Sequence, residues 1–248
     1  MKPIIIAHRG NNFTYPENTL AGLRSAFELG CTAVEFDIQM TADEVLIVLH
    51  DDNTLRTSGI EQSVFSSTYS QLQAVSVHEP DRLGDQNKPA PISTLKHVIK
   101  LLKDFPNAHA YIEVKEESLE KWGRQKIIDT ILPIVQAHSA QCTVISFDLP
   151  VLNLIREQSD LAIGWVLYHY DEASLAAAKQ SKPDFLITDQ AALKFDETPW
   201  QGNWKWMVYG VESAEIALKH YANNVEYIET DYLDRLLADD RLKPQYRI

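Results

Sequence analysis

The sequence is short of cysteine, of positive charge and of long apolar runs. Two cysteines, Cys31 and Cys142, in 248 residues are too few for a disulfide framework. Neither has the spacing of a metal site. Both lie in apolar settings, GCTAVEF and QCTVISF, and read as buried free thiols. No apolar run approaches the ~20 residues that a membrane span needs. The opening MKPIIIAHRG lacks the apolar stretch and cleavage site of a signal peptide, so a cytoplasmic protein is expected. The 23 basic residues are outnumbered by 35 acidic ones, for a formal charge of −12. A surface of that sign repels the phosphates of DNA and RNA and disfavours nucleic-acid partners. A small phosphate ligand held by a few local cations remains compatible. With 45% hydrophobic residues spread along the chain, disorder is excluded too.

What is present is alternation. Apolar, β-branched runs occur at Ile4–His8, Ala33–Ile38, Tyr111–Val114, Thr143–Ser146, Ala162–Val166, Phe185–Thr188, Met207–Tyr209 and Tyr227–Thr230. Amphipathic stretches lie between them, at Thr19–Leu29, Leu95–Leu102, Leu119–His138, Leu149–Gln158, Glu172–Gln180 and Glu212–Tyr221. Alternating strands and helices indicate a parallel sheet, and eight such strands predict an α/β fold closed as a single (β/α)8 TIM barrel. No GxGxxG follows the first strand to favour a doubly wound sheet. A further run, Val45–His50, is separated from Ile38 by only Gln39–Glu44. A parallel crossover takes about a dozen residues or more, so this run returns as a hairpin in the second βα connection. That puts His50 on a loop at the face where barrel enzymes keep their sites. Residues 51–91 have no sustained periodicity, and a loop that long implies a function. They are expected to form a small insertion over the barrel mouth, within one domain spanning residues 1–248.

Five clusters can carry chemistry: His8-Arg9-Gly10, Pro16-Glu17-Asn18-Thr19, Glu35-Phe36-Asp37, His50-Asp51 and Glu113-Val114-Lys115. Along a strand, residues i and i+2 share a face, so Glu35 points with Asp37 and Glu113 with Lys115. Three carboxylates converging on one mouth need a counter-charge. A hard divalent cation such as Mg2+ or Ca2+ supplies it, and so does an internal network with Arg9 and Lys115. His8 and His50 end their runs beside this set and can exchange acid and base roles. Arg9 and Lys115 can receive an anion. A cation, two histidines and two basic residues describe phosphodiester cleavage.

In order and spacing these motifs resemble the glycerophosphodiester phosphodiesterase family over nearly the whole chain. The resemblance implies the phosphodiesterase-type TIM barrel with a small insertion after the His-Asp motif. It implies hydrolysis of small-molecule glycerophosphodiesters, such as glycerophosphocholine or glycerophosphoethanolamine, to glycerol 3-phosphate and an alcohol. It implies one divalent cation, Mg2+ or Ca2+, on Glu35, Asp37 and Glu113. His8 and His50 become the acid/base pair, and Arg9 and Lys115 the phosphate contacts. Glu17 is expected to pair with Arg9, and Trp206 to line the pocket. The family's TxDG turn reads Thr41-Ala42-Asp43-Glu44, its WTVN reads Trp206-Met207-Val208-Tyr209, and its GIITD reads Tyr227-Ile228-Glu229-Thr230-Asp231. These departures bear on substrate preference more than on activity. The remaining histidines read as surface or structural, and Asp189 and Asp231 as helix caps. No stable membrane association is expected, because residues 51–91 carry only isolated apolar side chains. The sequence leaves the oligomeric state open.

Overall fold

A computed structural model describes residues 2–243. The strands are β1 (Ile4–Ala7), β2 (Ala33–Met40), β3 (Leu46–Val48), β4 (His109–Val114), β5 (Cys142–Ser146), β6 (Ala162–Val166), β7 (Phe185–Asp189), β8 (Lys205–Tyr209) and β9 (Tyr227–Thr230). Eight of them form a closed parallel ring with β3 outside it. The ring shuts where the first strand pairs the last, Ile6 facing Glu229, while β1 also pairs β2 at Ile6–Ala33. β3 runs antiparallel to β2 and takes the β2 edge at Ile38–Met40, beyond the reach of β1. The hairpin inferred from the short spacing is therefore present, and the barrel is the expected one.

All eight residues of β2 are buried, as in a parallel strand covered on both faces. Val34, Phe36, Ile38 and Met40 join the core under the helices, with Leu23, Phe27 and Val98. The alternate residues face the barrel interior. There Ile6, Ala33, Tyr111, Phe185, Met207 and Tyr227 pack into a separate core. The rings of Tyr111, Phe185 and Tyr227 meet edge to face, with centroids 5.0–6.4 Å apart.

Helix Leu20–Glu28 starts at Thr19, whose side chain accepts from the Gly22 backbone N–H. The expected single helix over Leu119–His138 is corrected to two helices, Glu116–Trp122 and Arg124–Val135. The break falls at Gly123, whose φ of +82° ends one helix before the next begins. Residues 51–91 hold three one-turn helices, Leu55–Ser58, Tyr69–Leu72 and Pro80–Leu83. Val64, Leu72, Val77 and Ile92 pack against Ile47 and Leu49 of the hairpin as a third small core. The β2–β3 turn places Glu44 at φ +61°, the backbone region that glycine favours. Among the described residues, no helix is long and apolar enough to cross a membrane.

Candidate active site

The interior-facing residues change character at the C-terminal ends of the strands. In register, Asp37 lies opposite Glu113, and Glu35 opposite Tyr111. One oxygen from each of Glu35, Asp37 and Glu113 falls within 4.8 Å of the others. Glu35 Oε1 is buried with no hydrogen-bond partner, and an unsatisfied buried carboxylate oxygen is costly. Burial and the neighbouring Asp37, Glu229 and Glu113 hold the Glu35 carboxyl well above its ordinary range. Burial and Asp37 raise that of Glu113. Asp37 stays low: burial pushes its carboxyl up, but Arg9 and Lys115 outweigh it. A hard, oxygen-only cluster with a free ligand atom fits a divalent cation.

The basic residues are part of the same cluster. Lys115 Nζ lies 2.9 Å from Glu113 and 3.6 Å from Asp37. Arg9 is in the left-handed region at φ +54°, which directs its backbone N–H to Glu35 Oε2 at 3.2 Å. Its guanidinium lies 3.2 Å from Asp37 and 3.0 Å from Glu17. Gly10 follows at φ +85°, pressed on helix Leu20–Glu28 so closely that a Cβ would lie 2.7 Å from the Gly22 carbonyl carbon. The internal ion-pair network and the cation cluster are thus the same set of side chains.

Each histidine is held by its own aspartate. His8 Nδ1 lies 2.5 Å from Asp231 Oδ1, and His50 Nδ1 lies 2.7 Å from Asp51 Oδ1. His8 Nε2 consequently faces Glu229 at 3.7 Å and Glu35 at 3.9 Å. Burial lowers the His8 pKa, but the Asp231 bond and Glu229 more than restore it, so it is raised overall. His50 lies at the other end of the cluster, where the backbone N–H of its neighbour Leu49 donates to the Asp37 carbonyl at 3.1 Å. The His50 backbone carbonyl accepts from Gln39 Nε2 at 3.0 Å.

The Pro16–Thr19 segment divides its labour. Thr19 caps the helix. Asn18 donates to Asp37 Oδ2 at 2.8 Å and accepts from the Asp37 backbone at 3.2 Å. Glu17 pairs with Arg9 as expected, but also with Arg56 of the insertion. Its backbone N–H reaches Glu79 at 2.7 Å. His8, Arg9, Glu17, Arg56, Arg82 and Phe13 are among the residues around a cleft of about 660 Å³.

Trp206 is a correction. It precedes Met207, which faces the barrel interior, so it points outward, into the core under the helices. Its indole N–H donates to Trp200 O at 3.0 Å. The β8 aromatic that faces the carboxylates is Tyr209. Burial, Asp189, Glu229 and Glu113 raise its hydroxyl pKa. Asp231 is corrected as well: it holds His8, whereas Asp189 does cap a turn, accepting from Ala191 N. Asn18, Glu229 and Asp231 stand inside quoted motifs without the partners the structure gives them, and Arg56 stands outside those motifs. For Glu229 and Asp231 the usable signal was alternation along β9, whose inward positions are Tyr227 and Glu229, with Asp231 next in step.

Residues 8–234 match the glycerophosphoryl diester phosphodiesterase family. A glycerophosphodiester phosphodiesterase from Caldanaerobacter subterraneus is 36% identical over 42% of this chain and 43% of its own length. Glycerophosphodiester phosphodiesterase 1 of Mus musculus is 30% identical over 73% of this chain and 53% of its own length. The aligned region thus spans about half the length of these curated relatives. Among solved structures, an Oleispira antarctica phosphodiesterase holding the product sn-glycerol-3-phosphate superposes with a TM-score of 0.84 at 21% identity, over 96% of both chains. A glycerophosphodiester phosphodiesterase from Thermotoga maritima gives 0.76 at 21% identity, over 96% of this chain and 98% of its own.

Proposed function

We propose, for a chain that belongs to the glycerophosphoryl diester phosphodiesterase family, the cation-dependent hydrolysis of a glycerophosphodiester to glycerol 3-phosphate and an alcohol. Glycerophosphocholine and glycerophosphoethanolamine are the expected substrates. One observation carries the reading: a row of carboxylates, with Glu229, Glu35 and Asp37 buried and Glu113 half-buried, has His8 at its Glu229–Glu35 end and His50 next to the Leu49 N–H that bonds the Asp37 carbonyl. Each histidine has its Nδ1 occupied by an aspartate, which leaves Nε2 for proton transfer. In-line displacement at phosphorus needs proton transfer on two sides, at the attacking and the leaving oxygen.

Glu35, Asp37 and Glu113 would hold one divalent cation, Mg2+ or Ca2+, which when bound would neutralise charge on a phosphoryl oxygen. One histidine takes the proton of the attacking hydroxyl, that of the glycerol C2 group, and the other gives a proton to the departing alcohol. Water then opens the cyclic phosphate with the roles exchanged. Arg9 and Lys115 contact the phosphate. Tyr209 borders the same space, and the insertion contributes to recognition of the diester. The substrate is a small molecule, and a cytoplasmic setting without membrane attachment suits it.

The test is release of glycerol 3-phosphate from a panel of glycerophosphodiesters with Mg2+, Ca2+ or chelator. Release that chelator abolishes and the cation restores is the expected result. No release from any member, with cation present, overturns the reading.

A further inference from the structure

Arg56 lies in the insertion, outside the motifs quoted above, on the one-turn helix Leu55–Ser58. Its guanidinium makes two bidentate pairs. Nη1 and Nη2 donate to Glu17 Oε2 and Oε1 at 2.8 and 2.7 Å. Nε and Nη2 donate to Asp51 Oδ2 and Oδ1 at 2.8 and 3.1 Å. The two acceptors are the side chains that hold the two arms of the site. Asp51 Oδ1 bonds His50 Nδ1 at 2.7 Å, and Glu17 Oε1 accepts from Arg9 at 3.0 Å. A continuous chain therefore runs His50–Asp51–Arg56–Glu17–Arg9–Asp37.

We propose that Arg56 is a positioning residue, a planar clamp from the insertion that fixes the orientation of His50 through Asp51 and of Arg9 through Glu17. This rests on the phosphodiesterase reading above. Exposed ion pairs usually contribute little, but bidentate arginine pairs joined in a network are the exception. Four of the five guanidinium N–H groups are committed to Glu17 and Asp51, leaving one for any other partner. That count favours orientation over direct substrate contact. Lysine cannot reproduce the clamp, because it offers one point charge in place of two rigid forks. Through Arg56 the folding of the insertion is coupled to the geometry of the acid/base machinery. The insertion is secured to the β1 exit a second time, where Glu79 accepts from the Glu17 backbone and Arg82 donates to the carbonyls of Phe13 and Tyr15.

The test uses the full chain with its cation. Arg56→Ala is expected to lower kcat by about a hundredfold with KM within about threefold of the parent. Arg56→Lys should recover little of the loss, and added guanidinium should restore Arg56→Ala but not Arg56→Lys. Arg24→Ala, which removes an exposed pair with Asp104 elsewhere on the surface, should leave kcat unchanged. A second readout is the pair of His50 ring 15N shifts, which should lose their single-tautomer pattern in Arg56→Ala while those of His109 stay fixed. A kcat within about threefold of the parent, a loss confined to KM, or unmoved His50 nitrogens would each overturn the proposal. If Arg56→Ala does not fold, Arg56→Gln serves for the same measurements. A parent protein that releases no glycerol 3-phosphate refutes the phosphodiesterase reading instead, and the His50 shifts then decide the clamp alone.

Discussion

The two ends of the barrel interior are built on the same strands and have opposite chemistry. At the N-terminal end the inward residues include Ala33, Tyr111, Phe185 and Tyr227. Two to four positions further along the same strands they are Glu35 and Asp37 on β2, Glu113 on β4 and Glu229 on β9. One end is an aromatic plug whose rings meet edge to face. The other concentrates unlike charges, an unpartnered carboxylate oxygen and the left-handed Arg9 and Asn18. The pairing of β2 with β4 continues through both, from Ala33–His109 to Ile38–Val114, so the ladder there does not distinguish them. The difference lies in what the side chains are left needing: the plug satisfies itself, and the mouth waits for a ligand.

The sharpest way to break this comparison is to disarm the mouth. Glu35→Gln and Asp37→Asn should each abolish turnover and weaken Mg2+ or Ca2+ binding in calorimetry while the fold persists. Chelation of the parent protein should have the same effect and be reversed by the ion. Unchanged activity in excess chelator would sever the mouth from cation chemistry.

Next in size, His8→Ala and His50→Ala should each lower kcat by at least about a hundredfold, with cation binding retained. A p-nitrophenyl diester, whose leaving group needs no proton, should rescue one variant far more than the other. That variant marks the proton donor of the first step. Equal rescue of both, or near-parent turnover of His50→Ala on glycerophosphocholine, would end the two-histidine scheme.

The opposite end should respond in the opposite sense. Tyr111→Ala or Phe185→Ala should cost about 3–5 kcal/mol of stability in denaturant titration. The kcat of the folded fraction should stay close to the parent's. A loss of kcat without a loss of stability would show that the plug is not merely packing.

A pH dependence sharpens the contrast further. Burial pushes the Glu229 carboxyl up to about 7, from an ordinary 4.5. A raised carboxyl makes the folded, cation-free protein prefer protons that the unfolded chain has released. Stability is therefore fully present below about pH 4.5 and lost as pH rises toward 7, at up to about 1.4 kcal/mol per pH unit. The melting temperature of cation-free protein should fall across that window, and Glu229→Gln should flatten the fall. A melting temperature that rises from pH 5 to 7 would contradict it. The smallest effect lies outside both ends: Glu44→Gly should stabilise the β2–β3 turn by about 0.5–1 kcal/mol, because it relieves a left-handed glutamate. A destabilised Glu44→Gly would mean that the Lys126–Glu44 pair at 2.7 Å outweighs the strain.

The barrel was legible because parallel strands buried on both faces leave continuous apolar runs, and the hairpin because six residues cannot make a crossover. Glu35, Asp37, Glu113 and Lys115 were legible from alternation within single strands. Trp206 was misjudged for want of the same argument, since parity with Met207 sends it outward. Arg56 was not legible, because its partners are set by tertiary structure; for Asp231 alternation along β9 gave the face but not the partner, since His8 is 223 residues away. Asn18 was hidden by its own sequence context, where a helix cap explains the residue type and Thr19 turns out to supply the cap. The insertion hid its three short helices because one-turn segments show no periodicity.

The ring closes where β1 meets β9, and that junction is also where His8 meets Glu229 and Asp231. Of all the strands, β9 is the last to leave the ribosome. Until it docks, a nascent chain already contains both histidines and the carboxylates Glu35, Asp37 and Glu113 of the candidate cation cluster. It still lacks the groups that hold His8 and the edge that shuts the barrel. Completion of the fold and completion of the His8 side of the candidate site are then a single event, so a chain stalled before β9 carries both histidines and these carboxylates without their assembled geometry.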